Sequence, residues 1–161
     1  MNQTLYISNT FFSGKTDIVN EIQEKVGVLD TKSTFTSTVD VLDEYEHLVI
    51  SAKFPFMRTK WFVTDYYGQE IGILKGKFTV LAKKYEYTAH KRGVYLIDSE
   101  PFSRNYSIYE KENLIGTFKR INGIFSTPKY QLNIINNKIN NFEWVAVVMG
   151  IQAIELRKSK P

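Results

Sequence analysis

Three glycine-containing segments recur along the chain at nearly equal intervals. They read Val26-Gly27-Val28-Leu29-Asp30, Ile71-Gly72-Ile73-Leu74-Lys75 and Ile115-Gly116-Thr117-Phe118-Lys119, with glycines 45 and 44 residues apart. A short apolar run precedes each segment, and alternating apolar and polar residues follow each glycine some 12 to 14 residues later. Because this alternation is typical of strands, the repeated unit is a hairpin followed by a further strand.

The repeat predicts a mainly β protein, a closed antiparallel barrel. Three units are too few for a propeller, which needs about four blades. One barrel of roughly three times four strands leaves no sheet edge exposed. Residues 18–29 also fit an amphipathic helix, and it is the repeat that favours a hairpin there. Chance similarity among unrelated hairpins is the alternative explanation of the repeat.

The last part of the chain follows a different pattern. Asn140 and Glu143 resemble a capping box, and Trp144 to Ile151 is an uninterrupted apolar run. The β-branched residues of this run would also suit a buried strand, but its length and caps favour a helix. A helix that is apolar on every side must be surrounded by protein or by lipid. This run is too short to span a bilayer, which leaves protein. We therefore expect a buried α-helix inside the barrel, ended by basic residues that suit a helix carboxyl end, namely Arg157, Lys158 and Lys160.

Composition narrows the class of protein further. The 161 residues carry 21 basic and 17 acidic side chains, a net charge of +4, and no cysteine. The lack of cysteine excludes a disulfide scaffold, a thiolate metal site and thiol catalysis. No signal peptide is visible at the amino terminus, and no Pro-, Gly- or Ser-rich linker divides the chain. We expect one domain over residues 1–161, located in the cytoplasm.

Taken together, these patterns resemble the tubby carboxyl-terminal-like superfamily and, within it, the LURP-one-related proteins. The resemblance covers roughly residues 4–157 and is carried by the first glycine segment with Lys32-Ser33, by Asp65 to Gly72, by Lys84 to Tyr87 and by Trp144 to Ile154. It implies a barrel of about twelve strands around a central carboxyl-terminal helix. Members of the superfamily include phosphoinositide-binding proteins, phospholipid scramblases and many LURP-one-related proteins without assigned activity. The likeness to scramblases is distant, since this chain lacks their cysteine-rich stretch.

Charge is unevenly distributed along the chain. Residues 1–52 carry 3 basic and 8 acidic side chains, residues 53–92 carry 9 and 3, and the remainder carries 9 and 6. A solvated surface whose charges happen to cluster is the simpler explanation. The alternative is a positive face that binds lipid or another anion, for which the candidates are Lys53, Arg58, Lys60, Lys75, Lys77, Lys83, Lys84, Lys91 and Arg92.

Aromatic residues are interleaved with this basic band: Phe54, Phe56, Trp61 and Tyr85. Tips such as those of Trp61 and Phe56 are expected at the headgroup boundary of a membrane, while other aromatic residues belong to the core. The chain has 16 lysines and 5 arginines. Lysine suits diffuse attraction better than bidentate phosphate recognition, and no RNP or helix-turn-helix pattern occurs, so nucleic acid is a disfavoured partner.

The sequence contains no catalytic or cofactor motif. His47 and His90 each stand alone, and the acidic cluster at Asp43, Glu44 and Glu46 lacks the glycine of a calcium-binding loop. No nucleophile elbow, P-loop or dinucleotide fingerprint occurs. A helix inside the barrel also leaves little room for a ligand cavity. We expect no enzyme, no cofactor and no metal.

Three functional hypotheses follow. The first is a non-enzymatic module that associates with anionic phospholipid or membrane surfaces, peripheral to the membrane, through an exterior basic face. The second is a protein-interaction or regulatory scaffold with no lipid role, whose partner would be an acidic protein. The third, an enzyme with a dispersed catalytic set, would gain support from His90 beside a carboxylate or from a pocket of converging acids.

Overall fold

The computed structural model shows one sheet rolled into a closed antiparallel barrel around a helix. The structure describes residues 2–8, 14–33, 38–55, 59–79, 82–100, 102–121, 129–136 and 138–158. Within these ranges the elements are β1 Gln3–Ser8, β2 Gly14–Val19, β3 Lys25–Ser33, β4 Thr38–Asp43, β5 Leu48–Lys53, β6 Trp61–Asp65, β7 Glu70–Thr79, β8 Ala82–Ala89, β9 Gly93–Ser99, β10 Asn105–Glu110, β11 Asn113–Ile121, β12 Lys129–Ile134 and α1 Asn141–Lys158.

Each strand pairs with the next one along the chain, and β1 closes the barrel against β12. Leu5 lies opposite Leu132 in this closing pair. Residues 18–29 form parts of β2 and β3 and the turn between them, so the hairpin predicted from the repeat is confirmed. The predicted barrel and its carboxyl-terminal helix are confirmed as well.

The three glycines of the repeat occupy equivalent positions in the barrel wall. Each faces a buried aliphatic residue of the preceding strand, and the register shifts at each of these pairs: Gly27 with Ile18, Gly72 with Val63 and Gly116 with Ile108. A β-bulge bends its strand and increases the local twist, so three evenly spaced bulges help the sheet to close. A Cβ atom on Gly27 would lie 2.8 Å from the ring of Phe142 on α1, and one on Gly72 would overlap the Tyr87 side chain.

The helix α1 fills the barrel interior. Its residues from Trp144 to Ile151 are all buried, so no side of this part of the helix faces solvent. The Asn140 side-chain oxygen accepts the backbone N–H of Phe142 at 2.8 Å and caps the helix. Glu143, the other half of the predicted capping box, binds the barrel wall through Arg92.

Wall and helix approach each other most closely where Trp61 lies against Gly150. Trp61 is 1% exposed, and its indole Nε1 donates a hydrogen bond to the carbonyl oxygen of Ala146 at 3.0 Å. A Cβ atom on Gly150 would lie 2.6 Å from that Nε1. Glycine usually destabilises a helix by about 1 kcal/mol relative to alanine. Here the missing side chain lets the indole reach the helix backbone.

Replacing Gly150 with alanine is therefore expected to lower the free energy of unfolding by about 1–3 kcal/mol, because overpacking against Trp61 outweighs the gain in helix propensity. Urea unfolding measures the change. In a Trp61→Leu background the same replacement should cost less, since the indole is no longer there. A Gly150→Ala protein that is more stable than the wild type would contradict this packing.

Candidate functional site

The strand connections alternate between the two ends of the barrel, and α1 runs from one end to the other. The end at which α1 begins, beside Asn141, is named the entry end, and the end at which it finishes, beside Lys158, is named the exit end. The entry end carries the five turns β2–β3, β4–β5, β6–β7, β8–β9 and β10–β11. The opposite ends of these strands, such as Lys53 of β5 and Trp61 of β6, lie at the exit end.

The structure divides the nine candidate basic residues between these two ends. Lys91 and Arg92 lie in the β8–β9 turn at the entry end, and Arg58 falls outside the described residues. The others lie in the half of the barrel nearer the exit end: Lys53, Lys60, Lys75, Lys77, Lys83 and Lys84. The nine residues therefore do not form a single face.

The outward-facing lysines of β7 and β8 surround one carboxylate. Lys77 is the register partner of Lys84, and Glu86 lies 2.6 Å from the Nζ of Lys77 and 3.2 Å from that of Lys75. The hydrogen bond from Lys77 keeps the pKa of Glu86 below its usual value. Lys84, and Lys53 at the end of β5, form no ion pair with any residue in the described ranges. This part of the surface keeps a net positive charge.

Lys83 faces inward at the exit end, on the same side of β8 as Tyr85. Its Nζ lies 3.8 Å from Oε1 of Glu155 on α1. The same carboxylate accepts hydrogen bonds from the hydroxyl of Tyr85, at 2.8 Å, and from that of Tyr106. Lys83 thus helps to join the wall to the helix and lies on the inward face of β8 instead of its outward face.

Arg92 reaches into the entry end. Its Nη1 and Nη2 donate to the two carboxylate oxygens of Glu143 at 2.6 and 2.9 Å, and Nη2 also donates to the carbonyl oxygen of Ile71 at 2.7 Å. Glu143 is 2% exposed and accepts a further hydrogen bond from Tyr87. The bond with Glu143 raises the pKa of Arg92. Arg92 therefore ties the β8–β9 turn to the start of α1, and its charge is neutralised there.

The aromatic residues of the basic band lie in the core. Phe54, Trp61 and Tyr85 are buried, because the alternation of each strand turns these positions toward α1. The expectation that the tip of Trp61 reaches a lipid headgroup is wrong for this reason. Phe56 lies outside the described residues.

Closure of the barrel brings to the exit end further basic residues that are not among the nine candidates. They come from strand ends and from the helix: Arg104, Lys119, Arg120, Lys129, Arg157 and Lys158. The described acidic residues in this half of the barrel are fewer: Asp30, Asp40, Glu86, Asp98, Glu100 and Glu155. Arg157 and Lys158 could be placed from the sequence as the last turn of a helix. Of the other four, Arg104 precedes β10, Lys119 and Arg120 lie near the end of β11, and Lys129 begins β12, so only the strand order shows that they are neighbours.

Both histidines lie beside carboxylates at the entry end. His90 Nε2 lies 2.5 Å from Oε2 of Glu70, a residue 20 positions away in the sequence, and His47 Nδ1 lies 3.3 Å from Oδ2 of Asp43. His90 beside a carboxylate is one of the two signs expected of a dispersed catalytic site. Across the described ranges, no three His, Cys, Asp or Glu residues converge on a point that could hold a metal.

Two cavities of about 310 Å³ each lie at the ends of the barrel. One, at the entry end, lies among β1, β3 and the start of α1 and is bounded by Leu5, Val26 and Phe142. The other, at the exit end, lies between the last turn of α1 and the strands β5 to β7. Neither His90 nor Glu70 borders either cavity. The interior between them is filled by side chains of the wall and the helix.

A family model described as LURP-one-related matches residues 3–151. The chain belongs to the LURP-one-related family. An X-ray structure of a protein from Arabidopsis thaliana has a similar fold, with a TM-score of 0.67 and 12% identity, over 96% of this chain and 91% of that one. At this identity the likeness shows the fold alone. No curated protein matches the chain.

The tubby-like barrel of the LURP-one-related family is a binding fold and not a catalytic one. Among the described residues, no helix has the length and apolar character needed to cross a membrane.

Replacing Arg92 with methionine is expected to lower the free energy of unfolding by about 3 kcal/mol, because the buried Glu143 carboxylate loses its partner. Lys91→Met, in the same turn but exposed and without an ion pair in the described residues, is the matched control and should change the value by about 0.5 kcal/mol or less. Urea unfolding measures both. Equal effects of the two replacements would contradict a structural role for Arg92.

The buried tyrosines predict loss of stability in alkali. Burial raises the pKa of Tyr85, Tyr87 and Tyr106, and it raises that of Tyr130 to about 12. An unfolded tyrosine ionises near pH 10, so the unfolded chain loses these protons first. The contribution of these tyrosines to the free energy of unfolding should therefore be fully present below about pH 10 and fall as the pH rises toward 12. Denaturant unfolding between pH 8 and pH 12, with tyrosinate absorbance, tests this. Titration of all ten tyrosines near pH 10 in the folded protein would contradict it.

Proposed function

We propose that residues 1–161 form a single non-enzymatic binding module that associates with anionic phospholipid surfaces through the exit end of the barrel, on the cytoplasmic side and peripheral to the membrane. The observation that supports this most directly is the concentration of lysine and arginine at that end, contributed by several strands and by the end of α1. The family's binding fold is consistent with it.

The charge asymmetry of the barrel gives the module an orientation. The entry-end turns are rich in glutamate, namely Glu21, Glu24, Glu44, Glu46 and Glu112. A negative surface attracts the exit end and repels these turns, so the helix axis points toward the membrane. Each basic residue near an anionic bilayer contributes about 1 kcal/mol. The excess of lysine over arginine suits such diffuse attraction.

The last turn of α1 adds an apolar group to this surface. Leu156 is 44% exposed and is followed directly by Arg157 and Lys158. An apolar side chain next to basic ones combines burial at the headgroup boundary with attraction to anionic lipid. The exit end therefore offers both an apolar side chain for burial at the headgroup boundary and basic side chains that attract anionic lipid.

Replacing Lys53, Lys84 and Lys129 with glutamine should weaken binding to vesicles of phosphatidylcholine and phosphatidylserine by about 3 kcal/mol, on the order of 100-fold, because three charges are lost from the exit end. Co-sedimentation at low salt measures the partition, which should fall as salt is added.

The matched control removes three positive charges from the entry end, at Lys91, Lys111 and Lys138. It should bind these vesicles as the wild type does. Equal loss in both variants would show that net charge alone drives binding. A wild-type protein that does not sediment with phosphatidylserine vesicles at low salt would refute the proposal.

A protein-interaction scaffold is the second candidate, and a different surface favours it. Leu96 and Leu114 are 45% and 43% exposed and are both register partners of Tyr109, so they form a short apolar strip across β9, β10 and β11. Such a strip is typical of a surface that binds another protein. If the Leu96→Asp variant no longer bound a protein partner and the exit-end lysine variant still bound it, this candidate would be supported instead.

A further inference from the structure

The exit-end cavity exists because the wall is incomplete where α1 leaves the barrel. The strand β5 ends at Lys53, and β6 begins only at Trp61. On β7, Gly76 faces inward like Leu74, and it has no side chain to fill the space against Ile154 of the helix. A cavity of about 310 Å³ results.

The lining of this cavity is apolar at its base and cationic at its edge. Phe54, Gly76 and Ile154 form the apolar part, with the Thr59 hydroxyl beside them. No described lining residue carries a carboxylate. The charged part consists of four basic residues from three segments of the chain: Lys60, Lys75, Arg157 and Lys158.

Two contacts show where the cationic side chains lie around the apolar base. The guanidinium carbon of Arg157 lies 3.7 Å from the centroid of the Phe54 ring, a cation–π contact that holds the charge at the cavity edge. Lys75 is 3.2 Å from Glu86, so its ammonium lies on the outer face of the sheet, just outside the cavity. Burial lowers the pKa of Lys158. The positive charge at the cavity edge therefore comes from Lys60, Arg157 and Lys158.

The volume limits the size of a ligand. A cavity of 310 Å³ has room for about ten groups of the size of a water molecule, at roughly 30 Å³ each. It lies at the lower end of the range of small-molecule sites. An anionic head on a short hydrocarbon body matches both the size and the division of the lining.

We propose that the exit-end cavity binds a single-chain amphiphilic anion, with a carboxylate or phosphate held by Lys60, Arg157 and Lys158 and an unbranched apolar body of about eight carbon atoms packed on Phe54 and Ile154. This binding requires no bilayer and goes beyond the vesicle association proposed above. It makes the cavity a site for a soluble ligand.

The test is a titration of the full chain with octanoate, followed by the NMR shifts of the backbone amides of Thr59, Gly76 and Ile154. The shifts should saturate. Lys60→Gln with Lys158→Gln should weaken binding about tenfold or more, because two charge-assisted contacts are lost. Lys53→Gln with Lys84→Gln removes the same charge from the same end, outside the cavity, and should change the affinity less than about twofold. Urea unfolding of both variants shows that they are folded.

Three further probes separate the contributions of head and body. Octyl phosphate should bind like octanoate, whereas octanol, without charge, and inorganic phosphate, without the apolar body, should each bind at least about tenfold more weakly. Octanol as strong as octanoate, phosphate as strong as octyl phosphate, equal losses in the two lysine variants, or no saturable shift would each overturn the proposal. Since the vesicle variants keep Lys60 and Lys158, failure here is distinguishable from failure of membrane association.

Discussion

The interior of a twelve-stranded barrel must be filled, and α1 fills it. A barrel of more than about eight strands encloses more space than its own inward side chains occupy. A void of that size would forfeit the dispersion contacts of the whole lining. The helix meets this requirement because it is apolar on every side. The inward aromatic residues of the wall and the close approach of Trp61 to Gly150 both follow from it.

Because side chains fill the interior, the charged contacts between the wall and the helix lie at the two ends of the barrel. At the entry end Arg92 neutralises the buried Glu143, and at the exit end Tyr85 and Lys83 meet Glu155. These contacts fix both ends of α1 to the wall. The outer surface and the two end cavities remain for binding, and lysines and arginines border the cavity where the helix emerges.

The fold could be predicted because its signals are local and repeated. The spacing of three glycines distinguished a hairpin from a helix over residues 18–29, and the apolar run from Trp144 required a surrounded helix. The site could be predicted only in part, because it depends on which strands become neighbours. Arg92 belongs to the basic band in sequence but pairs with a glutamate 51 residues away, while Lys129 joins the exit end only through strand closure. The burial of Trp61 could not be predicted, because alternation alone does not say which face of a strand is inward.

The central claim is that α1 lies inside the barrel, and the fluorescence of the two tryptophans tests it most directly. Trp144 lies on the helix and Trp61 on the wall against it, and the chain has no others. If the helix fills the barrel, the folded protein emits well to the blue of the urea-unfolded chain, and iodide quenches neither indole until the protein unfolds. Emission at the wavelength of the unfolded chain, or ready quenching by iodide in the folded protein, would contradict it.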